Sequence, residues 1–317
     1  HGQRLDLAGV LADAAIVEVG LGGRFDATNV IAHPTASIIM PISLDHEAYL
    51  GDRVELIAAE KAGIIKPGSP VIVGAQEYDA AREVLVDTAE RLGCPLLVYG
   101  QDFFALEENG RMTYQDDDGL FDLPLPALPG RHQLANAAAA IAGVKAAGFP
   151  VSQRVAEAAM TRVDWPGRLQ RLSEGLLVEL APRGADIWID GGHNPGAGAA
   201  VAEALAEQED RRSLPLVLIA GMINTKDQAG YFHNFAGMAR HVFTVPVNDS
   251  DAGVPNDQLA ARAGEAGLDA EPVASVENAL MLLRDAWDDP DTPPRILISG
   301  SLYLIGEVLR KNGTPPA

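Results

Sequence analysis

Apolar positions along the 317-residue chain follow two rhythms. Continuous short runs at 14–17, 36–42 and 70–73 predict buried strands, because a strand covered on both faces has no polar side to show. Between them, Asp52 is placed to cap a helix through Glu55, Leu56, Ile57, Ala58 and Lys61, with Gly63 near its end and Pro67 closing the connection. Ala81, Val84, Leu85, Ala89 and Leu92 recur at helical spacing, and Gly93 stops that helix. From 96 to 129 the pattern shortens to β-like runs with turn signals at Asn109-Gly110 and Asp118-Gly119, which predicts a small antiparallel insert. An Ala-rich helix over 133–147 and a second helix over 152–162 follow, and Asp164-Trp165-Pro166-Gly167 reads as a joint between domains.

Beyond the joint, strand-like runs at 176–180, 187–189, 214–219, 242–245 and 296–298 alternate with helical segments. One of these opens at Pro195, and the others cover 256–266, 275–287 and 302–311. Such alternation predicts a mostly parallel sheet with right-handed crossovers, so the chain is read as α/β with two domains, 1–166 and 167–317.

Charge narrows the function. A formal net charge of −20 with no basic stripe argues against nucleic-acid binding, which needs clustered Lys and Arg. The single cysteine, Cys94, excludes an intrachain disulfide and a cysteine metal cluster. The longest apolar stretch, 214–223, is too short for a membrane span. These features predict a cytoplasmic, monomeric enzyme that meets neither nucleic acid nor membrane.

Candidate chemistry gathers where strands are expected to end. The run at 14–17 leads into Glu18-Val19-Gly20-Leu21-Gly22-Gly23-Arg24-Phe25-Asp26-Ala27-Thr28-Asn29, and the strand at 36–42 leads into Ser43-Leu44-Asp45-His46. Glu18 and His46 could converge on one metal ion. Read alone, they could equally be a helix-terminal charge and a surface histidine, and a Glu and a His do not choose between magnesium, manganese and zinc. Lys61 sits among Ala58, Ala59, Ala62, Gly63, Ile64 and Ile65, where an apolar setting would depress an amine pKa. Asp190-Gly191-Gly192-His193-Asn194-Pro195 follows a strand and opens a helix, a position that attracts anions or else merely caps the helix. Arg168 is available to a phosphate or to a carboxylate across the joint, and Lys226 follows another strand end.

Taken together, these motifs resemble the bifunctional dihydrofolate synthase/folylpolyglutamate synthase family of the Mur ligase superfamily. The resemblance is carried in order by 18–29, Leu44-Asp45-His46, 59–68, Leu134-Ala135-Asn136-Ala137-Ala138, Pro166-Gly167-Arg168-Leu169-Gln170, 190–195 and Ser299-Gly300-Ser301-Leu302-Tyr303. It implies a Mur-ligase-like central domain followed by a C-terminal Rossmann-like α/β domain. The implied reaction is ATP-dependent ligation of L-glutamate to dihydropteroate or a folate through an acyl phosphate. It further implies magnesium on Glu18 and His46, pterin contacts at Phe25, Asp26 and Ala27, and a carbamate on Lys61. ATP contacts are implied at Asn136, Arg168 and Asp190 with His193 close by, Lys61, Arg168 and His193 serving the chemistry.

Three departures stand out, the first two mild. Phe25 replaces a commoner Leu, and Gly192 a commoner Ala. More seriously, the Gly-Lys-Ser phosphate loop that opens the family is not found in residues 1–317, which predicts a central domain truncated at its N-terminus and a chain that does not turn over ATP as it stands. A Mur-type ligase of a peptidoglycan precursor and a non-catalytic remnant are the rival readings.

Overall fold

The computed structural model describes residues 6–7, 10–11, 13–44, 53–224, 227–289 and 291–315. A short antiparallel pair, β1 (Asp6–Leu7) and β2 (Val10–Leu11), comes first. The first α/β unit is then built on a parallel three-stranded sheet: β3 (Ser37–Ile39), β4 (Val71–Val73) and β5 (Leu96–Val98), in that order. Val71, Ile72 and Val73 are all fully buried because both faces are covered. Val71 and Val73 pack with Ile57 and Ala58 of α1 (Val54–Lys61) and with Ala81, Leu85 and Ala89 of α2 (Asp79–Arg91). Ile72, pointing the other way, packs with Ala138, Ala139 and Ala142 of α3 (His132–Ala146).

The insert is an antiparallel meander of β6 (Phe103–Glu108), β7 (Arg111–Asp116) and β8 (Gly119–Pro124). Its first hairpin turns at Asn109 and Gly110, both with positive φ, as an Asn-Gly turn requires. The second turn is tied to α3 by Lys145, whose ammonium lies 2.5 Å from Asp116 and 2.7 Å from Asp118. Then α4 (Gln153–Arg162) leads to the joint.

The second unit carries a six-stranded sheet in the order β13 (Ala270–Pro272), β12 (Ala239–Thr244), β11 (Leu216–Ala220), β14 (Arg295–Ser299), β10 (Asp186–Asp190) and β9 (Gln170–Leu172). All neighbours are parallel except the edge strand β9. Leu216, Leu218, Ala220 and Leu297 face α6 (Pro195–Arg211), α7 (Gln228–His233) and α8 (Asn256–Glu265), while Val217, Ile219, Ile296 and Ile298 face α9 (Val276–Ala286) and α10 (Leu302–Asn312). Among the described residues no helix is long and apolar enough to cross a membrane.

Two predicted strands are corrected. Residues 14–17 pair with no strand among the described residues, and Ile16 is fully exposed. Apolar side chains alone do not make a strand when no neighbour accepts the backbone hydrogen bonds. Residues 176–180 form a short helix, α5 (Leu176–Leu180), rather than a strand. The carboxamide of Asn312 accepts the Leu177 N–H at 3.1 Å, and Leu177 is buried against the α9/α10 face. An apolar run of five does not distinguish the two states. Asp52, expected to cap α1, lies outside the described residues.

At the amino end of the second sheet Arg295, 3 % exposed, reaches Asp186 at 3.2 Å, Glu209 at 3.3 Å and the Arg212 carbonyl at 3.1 Å. Replacing Arg295 by Met would leave the Asp186 carboxylate buried with the half-exposed Arg171 as its remaining cation among the described residues. Arg295→Met is therefore expected to lower unfolding free energy by about 3–5 kcal/mol in urea melts. A loss below about 1 kcal/mol would show that this network is not a buried charge cluster.

Candidate functional site

The neighbouring strands β10 and β14 are followed by helices on opposite faces of the sheet, α6 on one and α10 on the other. A parallel sheet opens a crevice at the carboxyl ends of such a pair. Asp190 and Ser299 stand opposite each other there.

Asp190 is 6 % exposed and acts as a clasp. One carboxylate oxygen accepts the Leu169 N–H at 2.7 Å and the other accepts the Gly192 N–H at 2.6 Å. Burial pushes its carboxyl above the usual range, while the two amides and the positive charge of Arg168 pull it back. The Gly191 N–H donates to the Gly167 carbonyl at 2.8 Å, and the Gln170 side chain accepts the Gly167 N–H at 3.0 Å. These bonds hold Leu169 at φ +41°, a left-handed conformation that costs a branched residue about 1–2 kcal/mol. The strained turn carries Arg168, half-buried, with its guanidinium against the backbone at Gly191.

The same turn launches α6. Asn194 caps the helix, its side-chain oxygen accepting the Ala197 N–H at 2.8 Å, with Pro195 in the first turn. His193 shares a 2.9 Å hydrogen bond between its Nδ1 and the Gly191 carbonyl. Ser43, at the exit of β3, sits so near Gly196 that a Cβ there would lie 2.9 Å from that of Ser43. The exit of the first sheet thus faces the amino end of α6, where backbone N–H groups and the helix dipole favour an anion.

A third contributor comes from the first turn of α3. The Asn136 amide donates to Gln133 at 3.1 Å, and the Gln133 amide reaches His132 Nε2 at 3.0 Å. Burial drives the His132 pKa down against the carboxylates of Asp190, Glu203 and Glu207, so the ring is neutral near pH 7. Accepting from Gln133 at Nε2 leaves Nδ1 as the N–H, buried and without a partner. His132 was not among the residues singled out from the sequence. Its signal, a histidine one turn ahead of Asn136, acquires meaning only when α3 is seen beside Asp190.

The glycine-rich loop forms a separate cluster. Asp26 accepts four hydrogen bonds: from the N–H groups of Gly20 (3.0 Å), Leu21 (2.9 Å) and Thr28 (2.9 Å), and from the Thr28 hydroxyl (2.5 Å). The Thr28 hydroxyl first, then the backbone amides, hold its carboxyl down at about 2. The loop docks on the carboxyl end of α1 through Arg24 N–H to the Glu60 carbonyl (2.9 Å) and the Asn29 amide to the Gly63 carbonyl (3.1 Å). A Cβ on Gly63 would lie 2.5 Å from the Arg24 Cα, so only glycine lets loop and helix approach this closely. Lys61, half-buried, lies within this contact, its Cα against Gly23. Glu18, Phe25 and Ala27 are exposed, Phe25 by 89 %.

The fold therefore brings Arg168, Asp190, His193 and the start of α6 together, with Asn136 on the adjoining helix. Phe25, Asp26 and Ala27 gather with Lys61 elsewhere on the first unit, and the hydrogen bonds of residues 20–29 run within the loop or to 59–63. Asp45, His46 and Lys226 lie outside the described residues. No group of three or more His, Cys, Asp or Glu able to cage a metal occurs among the described residues. An exposed carboxylate such as Glu18 suits a magnesium ion that keeps water and phosphate oxygens as its other ligands.

Comparison with known proteins follows this geometry. The Mur ligase glutamate ligase domain matches residues 167–302, from the strained turn to the start of α10. The folylpolyglutamate synthase of Lacticaseibacillus casei is 33% identical over 93% of this chain and 66% of its own length. The dihydrofolate synthetase of Saccharomyces cerevisiae is 31% identical over 93% of this chain and 70% of its own. A bifunctional folylpolyglutamate synthase/dihydrofolate synthase from Yersinia pestis, solved with AMPPNP and a manganese ion, superposes with a TM-score of 0.75 at 27% identity, covering 92% of this chain and 64% of that one. The chain thus spans just under two thirds of the Lacticaseibacillus relative.

The Asp26 geometry fixes the sign of a pH effect. A carboxyl held at about 2 stabilises the loop fully above its ordinary value near 4, and that stabilisation drains away as pH falls through about 2. Backbone amide signals of Gly20, Leu21 and Thr28 should thus hold their positions above pH 4 and move as pH falls through about 2. In Asp26→Asn they should already be displaced at pH 7. Signals that ignore both changes would mean that the carboxylate does not organise the loop.

Proposed function

The chain belongs to the folylpolyglutamate synthase/dihydrofolate synthase family, and on that premise we propose that it serves the ATP-dependent ligation of L-glutamate to dihydropteroate, to folates, or to both. The observation that carries the reading is the Asp190 clasp. It presents a half-buried guanidinium and a capped helix amino terminus at a sheet crevice, an arrangement suited to anions.

In the proposed reaction an acceptor carboxylate oxygen attacks the γ-phosphorus of ATP, the bond to ADP breaks, and an acyl phosphate forms. The glutamate amine then attacks the acyl carbon. Collapse of the tetrahedral intermediate expels inorganic phosphate, and the amine proton is lost to a base. Negative charge shifts at each stage, so Arg168 and the amides at the start of α6 would supply electrostatic stabilisation. Asn136 would contact the nucleotide, and His193, just ahead of α6, would meet the nucleotide or the leaving phosphate. Asp190, its oxygens taken by the Leu169 and Gly192 amides, would hold the Arg168 turn and the start of α6 in place.

Glu18 and His46 would hold the magnesium ion, which supplies charge neutralisation to the phosphates when bound. Phe25 and Ala27, exposed on the loop that Asp26 organises, would meet the pterin. A carbamate on Lys61 would turn a cation into an anion able to order the metal site. Residues 1–166 and 167–317 would form the two walls of the cleft, and the cytoplasm is the expected compartment.

The test is phosphate release from ATP that requires both L-glutamate and a pteroate or folate acceptor, in the protein that carries this sequence. Lys61→Ala should reduce that turnover by ~100-fold or more while leaving thermal unfolding in place. Carbon-13 bicarbonate should give a carbamate resonance that the variant lacks. Phosphate release indifferent to every such acceptor would overturn the ligase reading. Near-normal turnover in Lys61→Ala would remove the carbamate.

A further inference from the structure

A groove of about 520 Å³ lies between the insert and α4, lined by Arg111, Arg154, Arg162 and Glu157 together with Pro124, Ala158 and Thr161. Three guanidiniums around one opening run against the composition of a chain with 24 Lys and Arg facing 44 Asp and Glu. Arg111 is occupied by Asp122 at 2.6 Å, and Glu157 accepts a hydrogen bond from the Gln153 amide at 3.0 Å. Arg154 and Arg162 engage no carboxylate among the described residues. They stand eight residues apart on α4, about 12 Å along one helix face, with Ala158 between them leaving the floor open. A single small anion does not bridge that gap. A flexible chain bearing a carboxylate on every residue does, in about three or four residues.

Position adds a second argument. Arg162 ends α4, and Arg168 in the crevice stands only six positions further along the chain, a reach of at most about 20 Å. We infer that this groove binds the oligoglutamate tail of a lengthening product, with Arg154 and Arg162 as its two anchoring cations. The inference rests on the ligase reading for the identity of the tail. The groove itself stands on charge and geometry. An anchor here would hold a product by its tail while its newest carboxylate returns to the crevice, favouring successive additions over release.

The experiment is calorimetric titration of residues 1–317 at low salt with pentaglutamate, with free glutamate and inorganic phosphate as separate probes. Pentaglutamate should bind, more weakly as salt rises, and the exposed double variant Arg154→Gln/Arg162→Gln should weaken it by roughly tenfold without changing the circular dichroism spectrum. Free glutamate and phosphate should bind far less tightly. Absence of pentaglutamate binding, equal binding in the double variant, or phosphate binding as tight as pentaglutamate would each overturn the proposal. AMPPNP titration of the same double variant separates the two readings, because the crevice is untouched. Nucleotide binding kept while pentaglutamate binding falls supports the groove. Pentaglutamate binding that falls in a protein already shown not to ligate glutamate would keep the anion groove and remove the tail as its occupant.

Discussion

One buried carboxylate governs the arrangement of the crevice. Asp190 sits at the end of a central strand, where burial disfavours its charge, and it is retained because two backbone amides from different turns need it. One amide belongs to the joint between the two α/β units, the other to the turn that launches α6. The carboxylate therefore sets Arg168, the left-handed Leu169 and the direction of α6 together. The strain at Leu169 persists because the surrounding bonds over-determine it.

The glycine-rich loop shows the same economy in a different place. Asp26, which the resemblance assigns to the pterin together with Phe25 and Ala27, is also the internal organiser of the loop that displays them. Both acidic residues thus bond to backbone amides and order the turns around them.

Much of the fold was legible in the sequence because its strands are covered on both faces. Runs such as Leu216–Ala220 and Arg295–Ser299 leave no amphipathic ambiguity once helices alternate with them, and Asn109-Gly110 announced its hairpin chemically. Residues 14–17 and 176–180 were misread because strand formation depends on a partner and helix formation on Asn312, 135 residues away from Leu177. The site was legible as motifs, since residues 190–195 and 166–170 each carry a recognisable turn. Their mutual hydrogen bonds were not, and neither was His132, whose significance comes from a helix arriving beside Asp190.

The most direct test is a double-mutant cycle on AMPPNP affinity using Asp190→Asn, Arg168→Met and the pair. Asn in place of Asp190 presents an N–H₂ to one of the two amides and breaks one arm of the clasp. If the carboxylate acts by positioning Arg168, Asp190→Asn removes most of the affinity that Arg168→Met removes, and the double variant is little weaker than either single one. Losses that simply add would contradict the account, because Asp190 would then contribute to nucleotide binding independently of the turn it holds.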